Sequence, residues 1–157
     1  MKKKLLFVFN PKSGKGLIKE HLVNIVDIMT KAGYKITIYP TQCQGDAIKK
    51  VRKKAKKYDL VVCSGGDGTL DEVVTGMEQS DVNVPIGYIP AGSTNDFAAS
   101  LKIPSDPAKA AEAIVRGQTR QLDIGCFGKR VFVYVASFGA FTRTDRKSTR
   151  LNSSHEF

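Results

Sequence analysis

Three short runs concentrate the residues that could do chemistry: Asn10-Pro11-Lys12-Ser13-Gly14, Gly65-Gly66-Asp67-Gly68-Thr69 and Gly92-Ser93-Thr94-Asn95-Asp96. In the second, the glycines permit positive backbone dihedrals and leave main-chain N–H groups open. A helix starting there would aim its positive end at an anion, so a di- or triphosphate suits the loop. Asp67, in the middle, would repel phosphate unless a divalent cation lay between them, which makes a water-mediated magnesium role more natural than direct contact. Thr69 can cap the helix or hydrogen-bond a phosphate oxygen. Standing alone, the run is as readily a tight turn after a strand.

The first run offers small polar side chains, a backbone-opening glycine, and charge from Lys12 and the nearby Lys15. It is not a Walker A loop, because the Gly-Lys-Ser/Thr order is absent. The third adds two hydroxyls, an amide and a second carboxylate, Asp96, that could share a cation network with Asp67. Its residues also suit the N-cap of a short helix over residues 97–101.

The elements that must position these runs alternate along the chain. Residues 5–9 read as a buried strand, followed by a helix through Leu17, Leu22, Ile25, Val26 and Met29 that stops at Gly33. Residues 35–39 read as a second strand, and Ile48, Val51, Ala55 and Tyr58 as one face of a second helix. A third strand over residues 60–63 leads into the glycine run and a helix carrying Leu70, Val73, Val74 and Met77. A fourth strand over residues 85–89 leads into the third run. Ser105 or Asp106 then caps a helix through Ala108, Ala111, Ile114 and Val115, closed by Gly117. Residues 122–127 and 131–138 resemble two strands joined by a Gly128-Lys129 turn.

This alternation predicts an α/β fold, a three-layer, mostly parallel, Rossmann-like sheet whose ligands bind outside the carboxyl ends of the strands. All three runs lie at such ends.

At 157 residues, 41% hydrophobic and 25% charged, the chain suits one compact domain. The apolar run from Leu5 is too short for a membrane span or signal peptide, so a cytosolic protein is expected. Three cysteines without paired spacing and two histidines suggest neither a disulfide framework nor a zinc site. The formal charge of +10 admits nucleic acid, anionic membrane or a phosphorylated ligand. Lys49, Lys50, Arg52, Lys53, Lys54, Lys56 and Lys57 crowd the second helix, leaving Ile48, Val51 and Ala55 as its buried seam. Such a run is commonly a solvated face; the functional reading is attraction to anionic lipid headgroups, at ~1 kcal/mol per basic residue near the surface. Nucleic acid fits less well, because the helix lacks interleaved aromatics and no nucleic-acid-binding signature is visible. From residue 143 the apolar pattern stops, and residues 143–157 read as a non-native or disordered tail outside a domain of residues 1–142.

Taken together and in order, NPKSG, GGDGTLDE and IPAGSTNDFA resemble the diacylglycerol kinase and sphingosine kinase family, especially its soluble bacterial members. The likeness runs to about Thr142 and includes Leu122-Asp123-Ile124-Gly125 and Ser137-Phe138-Gly139. It implies an enzyme that moves the ATP γ-phosphate to a lipid hydroxyl, diacylglycerol or a related lipid, with magnesium. Carried over residue by residue, it implies an ATP site at Asn10, Pro11, Lys12, Ser13, Gly14, Thr41, Gly66, Asp67, Gly68, Thr69, Leu70, Asp71, Glu72 and Thr94. Asp67 and Asp96 are the candidates for the catalytic magnesium–water network.

Asp71 departs from the family, which most often has Asn there. A larger departure is that similar kinases continue into a C-terminal, mainly β domain supplying the general base and further metal ligands, and no Asp-Gly-rich segment of that kind is present here. The chain therefore reads as truncated, expected to bind ATP and to catalyse little alone. NAD kinases resemble it in the Gly-Gly-Asp-Gly-Thr run and remain the enzymatic alternative, which the NPKSG and GSTNDFA loops disfavour. A non-catalytic nucleotide-binding module is the other.

Overall fold

The computed structural model describes residues 1–92, 95–117, 119, 121–127, 130–132 and 154–156. Strands β1 (Lys3–Phe9), β2 (Tyr34–Pro40), β3 (Leu60–Gly65) and β4 (Ile86–Pro90) form one all-parallel sheet in the order β2-β1-β3-β4. Helices α1 (Leu17–Lys31), α2 (Asp46–Lys54) and α3 (Asp67–Gln79) connect them, and α4 (Asp96–Ser100) and α5 (Pro107–Arg116) follow β4.

β1 and β3 are continuous apolar runs because both faces of the sheet are covered. Leu6, Val8, Val61, Cys63, Ile86 and Tyr88 join Val51 of α2 and Leu70, Val73, Val74 and Met77 of α3 in one core. Leu5, Phe7, Phe9, Val62 and Ile89 join Ile18, Ile25 and Met29 of α1 and Ala110 and Ala111 of α5 in the other. The alternation along each strand is the two-residue period of a pleated sheet, and the expected three-layer α/β architecture is the one observed.

Register decides where the functional runs meet. Phe9 lies opposite both Pro40 and Ser64, and Gly65 lies opposite Pro90. The loops after all four strands therefore leave the sheet at nearly one level. The chain passes from β1 outward to β2 and then back across β1 to β3, so the order reverses between β1 and β3. A crevice opens outside the carboxyl ends at such a switch point.

Several boundaries differ from the sequence reading. Leu17 is 38% exposed and Ile18 takes its place in the core, because the left-handed Gly16 (φ 78) just before the helix sets its phase. α2 stops at Lys54 and tightens into a 3-10 turn, Ala55–Lys57, after which Tyr58 is already extended on the way to β3. Ala47 joins Val51 and Ala55 in the seam, while Ile48 is only half-buried. Asp106 is the N-cap of α5, accepting the Lys109 N–H at 3.0 Å, and Gly117 follows the helix.

The strand expected over residues 122–127 is two short ones. β5 (Gln121–Asp123) pairs antiparallel with β8 (Ser154–Glu156), and β6 (Gly125–Phe127) with β7 (Arg130–Phe132). Ile124 between β5 and β6 is fully buried in the α2–α3 core, so the chain turns inward where it changes partner. β8 lies within the segment that shows no apolar period. The expected turn at residues 128–129, the strand beyond residue 132, the Ser137-Phe138-Gly139 run and residues 143–153 lie outside the described residues. Among the described residues, no helix is long and apolar enough to cross a membrane.

α2 and α3 touch backbone to backbone at Gly76, where a Cβ would stand 2.7 Å from the Ile48 carbonyl oxygen and 2.9 Å from Val51 Cβ. Gly76→Ala should therefore destabilise the chain by about 1–3 kcal/mol through overpacking, although alanine alone favours a helix by ~1 kcal/mol. A urea midpoint that stays put or rises would show that the two helices do not meet there.

Candidate functional site

The centre of the site is the turn from β3 into α3. Gly66 is the N-cap of α3 with extended backbone (φ −80, ψ −175) and, being glycine, caps the helix with no side chain of its own. The Thr69 and Leu70 N–H groups are taken by the Gly66 carbonyl, at 3.1 and 3.2 Å. The helix begins at Gly66, Gly68 and Thr69 on the cleft wall, where its positive dipole favours an anion.

The first and third loops close around it through glycine contacts. A Cβ on Gly92 would fall 2.5 Å from Gly66 Cα, and one on Gly14 (φ 55) would collide with the Ala91 carbonyl oxygen. The Asn95 side chain holds the third loop by bonding Gly92 N–H and C=O, both at 2.8 Å. Beneath the turn, the Gly65 carbonyl accepts both the Ala91 N–H and the Tyr88 hydroxyl at 2.9 Å. Burial pushes the Tyr88 phenol upward, so it stays a donor. Asn10 donates its N–H to Ser64 O at 3.0 Å, and its side-chain oxygen takes the Lys12 N–H at 2.9 Å in an Asx turn.

A cleft of about 990 Å³ opens at this level, the upper end of the range for small-molecule sites. Of the residues assigned from sequence, Asn10, Lys12, Ser13, Thr41, Gly66, Gly68, Thr69, Asp71 and Glu72 line it. Pro11, Gly14, Asp67, Leu70 and Asp96 do not. Gly14 packs against Ala91, and Leu70 is fully buried in the core, so its part is to seat the helix. Thr94 and Ser93 lie outside the described residues. The structure adds Gln42, Cys43, Gln44, Gly45, Ile48 and Thr75. Ile48 falls on the helical apolar stripe, and its place on the cleft side needed the α2–α3 packing to be seen. The segment after β2 carries no phosphate-loop chemistry in its sequence, and nothing local marks it as a wall.

Asp67 and Asp96 sit close enough for their charges to interact. The Asp67 carboxyl is held above the ordinary carboxylate range, first by burial and then by the Asp96 charge, while the backbone N–H groups of Asp96 and Phe97 pull it back. Its Oδ1 is buried without a hydrogen-bond partner, as is Ser64 Oγ at the same end of β3. Orphaned polar atoms in a native site call for a missing partner. A carboxylate oxygen beside a second carboxylate fits a hydrated divalent cation, and the two acids could hold one. Among the described residues, no three acids, histidines or cysteines gather as a direct ligand cage.

The sequence model of the diacylglycerol kinase catalytic domain matches residues 4–127. The chain belongs to that family. The diacylglycerol kinase of Bacillus subtilis (strain 168) is 38% identical over 142 residues, covering 89% of this chain and 47% of the relative. That of Staphylococcus carnosus (strain TM300) is 37% identical over 150 residues, 95% of this chain and 49% of the relative. The crystal structure of a diacylglycerol kinase from Bacillus anthracis str. Sterne superposes with a TM-score of 0.76 at 32% identity, over 83% of this chain and 46% of that one. The chain thus spans about half the length of the relatives it matches. Membership in the diacylglycerol kinase family decides against the NAD kinase alternative that the glycine run alone left open.

A raised carboxyl pKa means that the folded chain binds the Asp67 proton more tightly than the unfolded chain does. Ionised Asp67 therefore subtracts stability at neutral pH, and the loss is relieved as pH falls through the raised value. Asp67→Asn should raise the unfolding temperature at pH 7, with a gain that fades toward the unperturbed carboxylate value of about 3.9. Thermal scans across that window check the sign. A variant less stable than the parent at neutral pH would mean that the carboxylate is already satisfied.

Proposed function

We propose that this chain is the nucleotide-binding part of an ATP-dependent lipid kinase, which transfers the ATP γ-phosphoryl group to a hydroxyl of diacylglycerol or a related lipid. The observation that carries the reading is the gathering of Asn10, Lys12, Ser13, Gly66, Gly68 and Thr69 around one cleft at the switch point of the sheet. The first-turn N–H groups of α3 receive phosphate oxygens, Thr69 and Ser13 add hydroxyls, and Lys12 adds a positive charge. Thr41 and its neighbours form the facing wall, against which the rest of the nucleotide lies.

A magnesium ion accompanying ATP would neutralise phosphate charge, with Asp67 and Asp96 holding its water shell. Asp71, where the family most often has Asn, adds a negative charge at the cleft wall that tunes phosphate affinity without blocking it. Deprotonation of the acceptor hydroxyl is assigned to the second domain that the family resemblance implies.

The test has two parts. In the full reading frame, labelled phosphate should pass from ATP to diacylglycerol or a related lipid; absence of transfer to any of them sinks the proposal, and tight ATP binding without turnover selects a non-catalytic module. In this chain, Asp67→Ala should weaken magnesium-dependent ATP binding by roughly tenfold or more, the worth of a charge-assisted contact. Equal affinity for parent and variant removes Asp67 from the metal network.

The partner assigned to the basic helix is an anionic membrane surface. Lys49, Arg52 and Lys53 of α2 and Lys56 and Lys57 of the following turn are all exposed. Lys50 instead lies over the Tyr39 ring, 4.2 Å from its centroid. Working at the inner, anionic face of the membrane, such a surface brings the enzyme to a substrate that lives in the bilayer, at ~1 kcal/mol per basic residue. Pelleting with phosphatidylglycerol vesicles should fall as salt rises, and Lys53→Glu with Lys57→Glu should reduce it at least about tenfold. Comparable retention on DNA would overturn the membrane assignment.

A further inference from the structure

The wall facing the two phosphate-type loops is residues 41–45, between β2 and α2, and it is fastened at several points. Thr41 donates its N–H to the Phe9 carbonyl at 2.9 Å, tying the near end to β1. Both oxygens of Asp46 are used: Oδ1 takes the Tyr39 hydroxyl at 2.9 Å and Oδ2 the Gln42 N–H at 2.8 Å. The Asp46 N–H in turn bonds the Cys43 carbonyl at 3.2 Å. These bonds fold the segment on itself and against β1, but they do not set its distance from α3.

That distance has a fastening of its own. Gly45 donates its N–H to Glu72 Oε1 at 2.8 Å, joining two residues that line the cleft and lie 27 apart in sequence. Gly45 is the left-handed N-cap of α2 (φ 84), with no side-chain cap of its own among the described residues. Its N–H, part-buried and outside the helical ladder, takes a partner from another element. Glu72 lies on the second turn of α3, just past the turn that faces the phosphate-type loops.

We propose that Glu72 is a positioning residue: through the Gly45 N–H it holds residues 41–45 at the separation from α3 that the nucleotide requires. The proposal rests on the nucleotide reading of the cleft and deepens it. A bare carboxylate in a cleft meant for phosphate is unfavourable, so what the site needs from Glu72 is an acceptor oxygen at that position, not the negative charge. Glutamine keeps the acceptor and removes the charge; alanine removes both. The pair of variants separates positioning from metal binding or charge, because a metal or charge role would fail in both.

The experiment measures ATP affinity by calorimetry, and amide hydrogen exchange, on this chain and on Glu72→Ala and Glu72→Gln. Glu72→Ala should weaken ATP binding up to roughly tenfold, the scale expected for losing one hydrogen bond of about 1 kcal/mol. It should also speed exchange at Gly45 and its neighbours while leaving the β1 and β3 amides protected. Glu72→Gln should stay within about twofold of the parent in affinity, since the bond to Gly45 survives. Loss of binding in Glu72→Gln as severe as in Glu72→Ala would show that charge is required and would overturn the proposal. So would unchanged affinity in Glu72→Ala, or faster exchange spread over the whole sheet. If the parent chain binds no ATP, the nucleotide reading fails and the proposal fails with it; a parent that binds, with all three proteins alike, overturns the proposal alone.

Discussion

The parallel pairing of β1 with β3 is the constraint on which everything else hangs. Setting Phe9 opposite Ser64 puts Asn10 beside the start of the glycine turn, a contact sealed by the Asn10 N–H on the Ser64 carbonyl. A parallel pair between strands so far apart in sequence costs loop-closure entropy and is stabilised only by burial of both faces. Val8 and Cys63 facing one helix layer, and Phe7 and Val62 the other, supply that burial. Burial also pushes the Cys63 thiol well up, so it serves as a small apolar side chain and not as a nucleophile.

With that pair in place, the site is assembled from backbone more than from side chains. Gly66 against Gly92 and Gly14 against Ala91 bring three loops together at distances that no Cβ would allow. The small residues serve this closeness as much as any left-handed turn. Tyr88 under the turn and Asn95 across the third loop are the braces that hold it in place. Ionised Asp67 runs against this economy. Its buried, unpartnered oxygen beside Asp96 is a local instability, the kind of cost that concentrates where a fold keeps strain at a site.

Much of this was legible in the residues. Continuous apolar strands, segments with the helical apolar period and glycine-bearing turns at strand ends predict the α/β layers, because burial on two faces writes a recognisable pattern. The boundaries that moved did so where tertiary contacts overrode local preference. Ile18 displaced Leu17 because the preceding loop sets the helix phase, and Ile124 split a strand by turning into the core. The wall at residues 41–45 was nearly invisible, since only Thr41 carried a family likeness and glutamines and a cysteine carry no local signal of a binding surface.

By itself the sequence determined the three chemical runs, their order, the layered fold and the family, since each depends on residue type and short-range spacing. Only the tertiary structure decided which members of those runs line the cleft. It sent Leu70 into the core, turned Gly14 against Ala91, set Asp67 against Asp96 behind the cleft, and joined Glu72 to Gly45. Those outcomes hang on strand register and helix rotation, which are settled by packing between segments distant in sequence and leave no local trace in the residues that obey them.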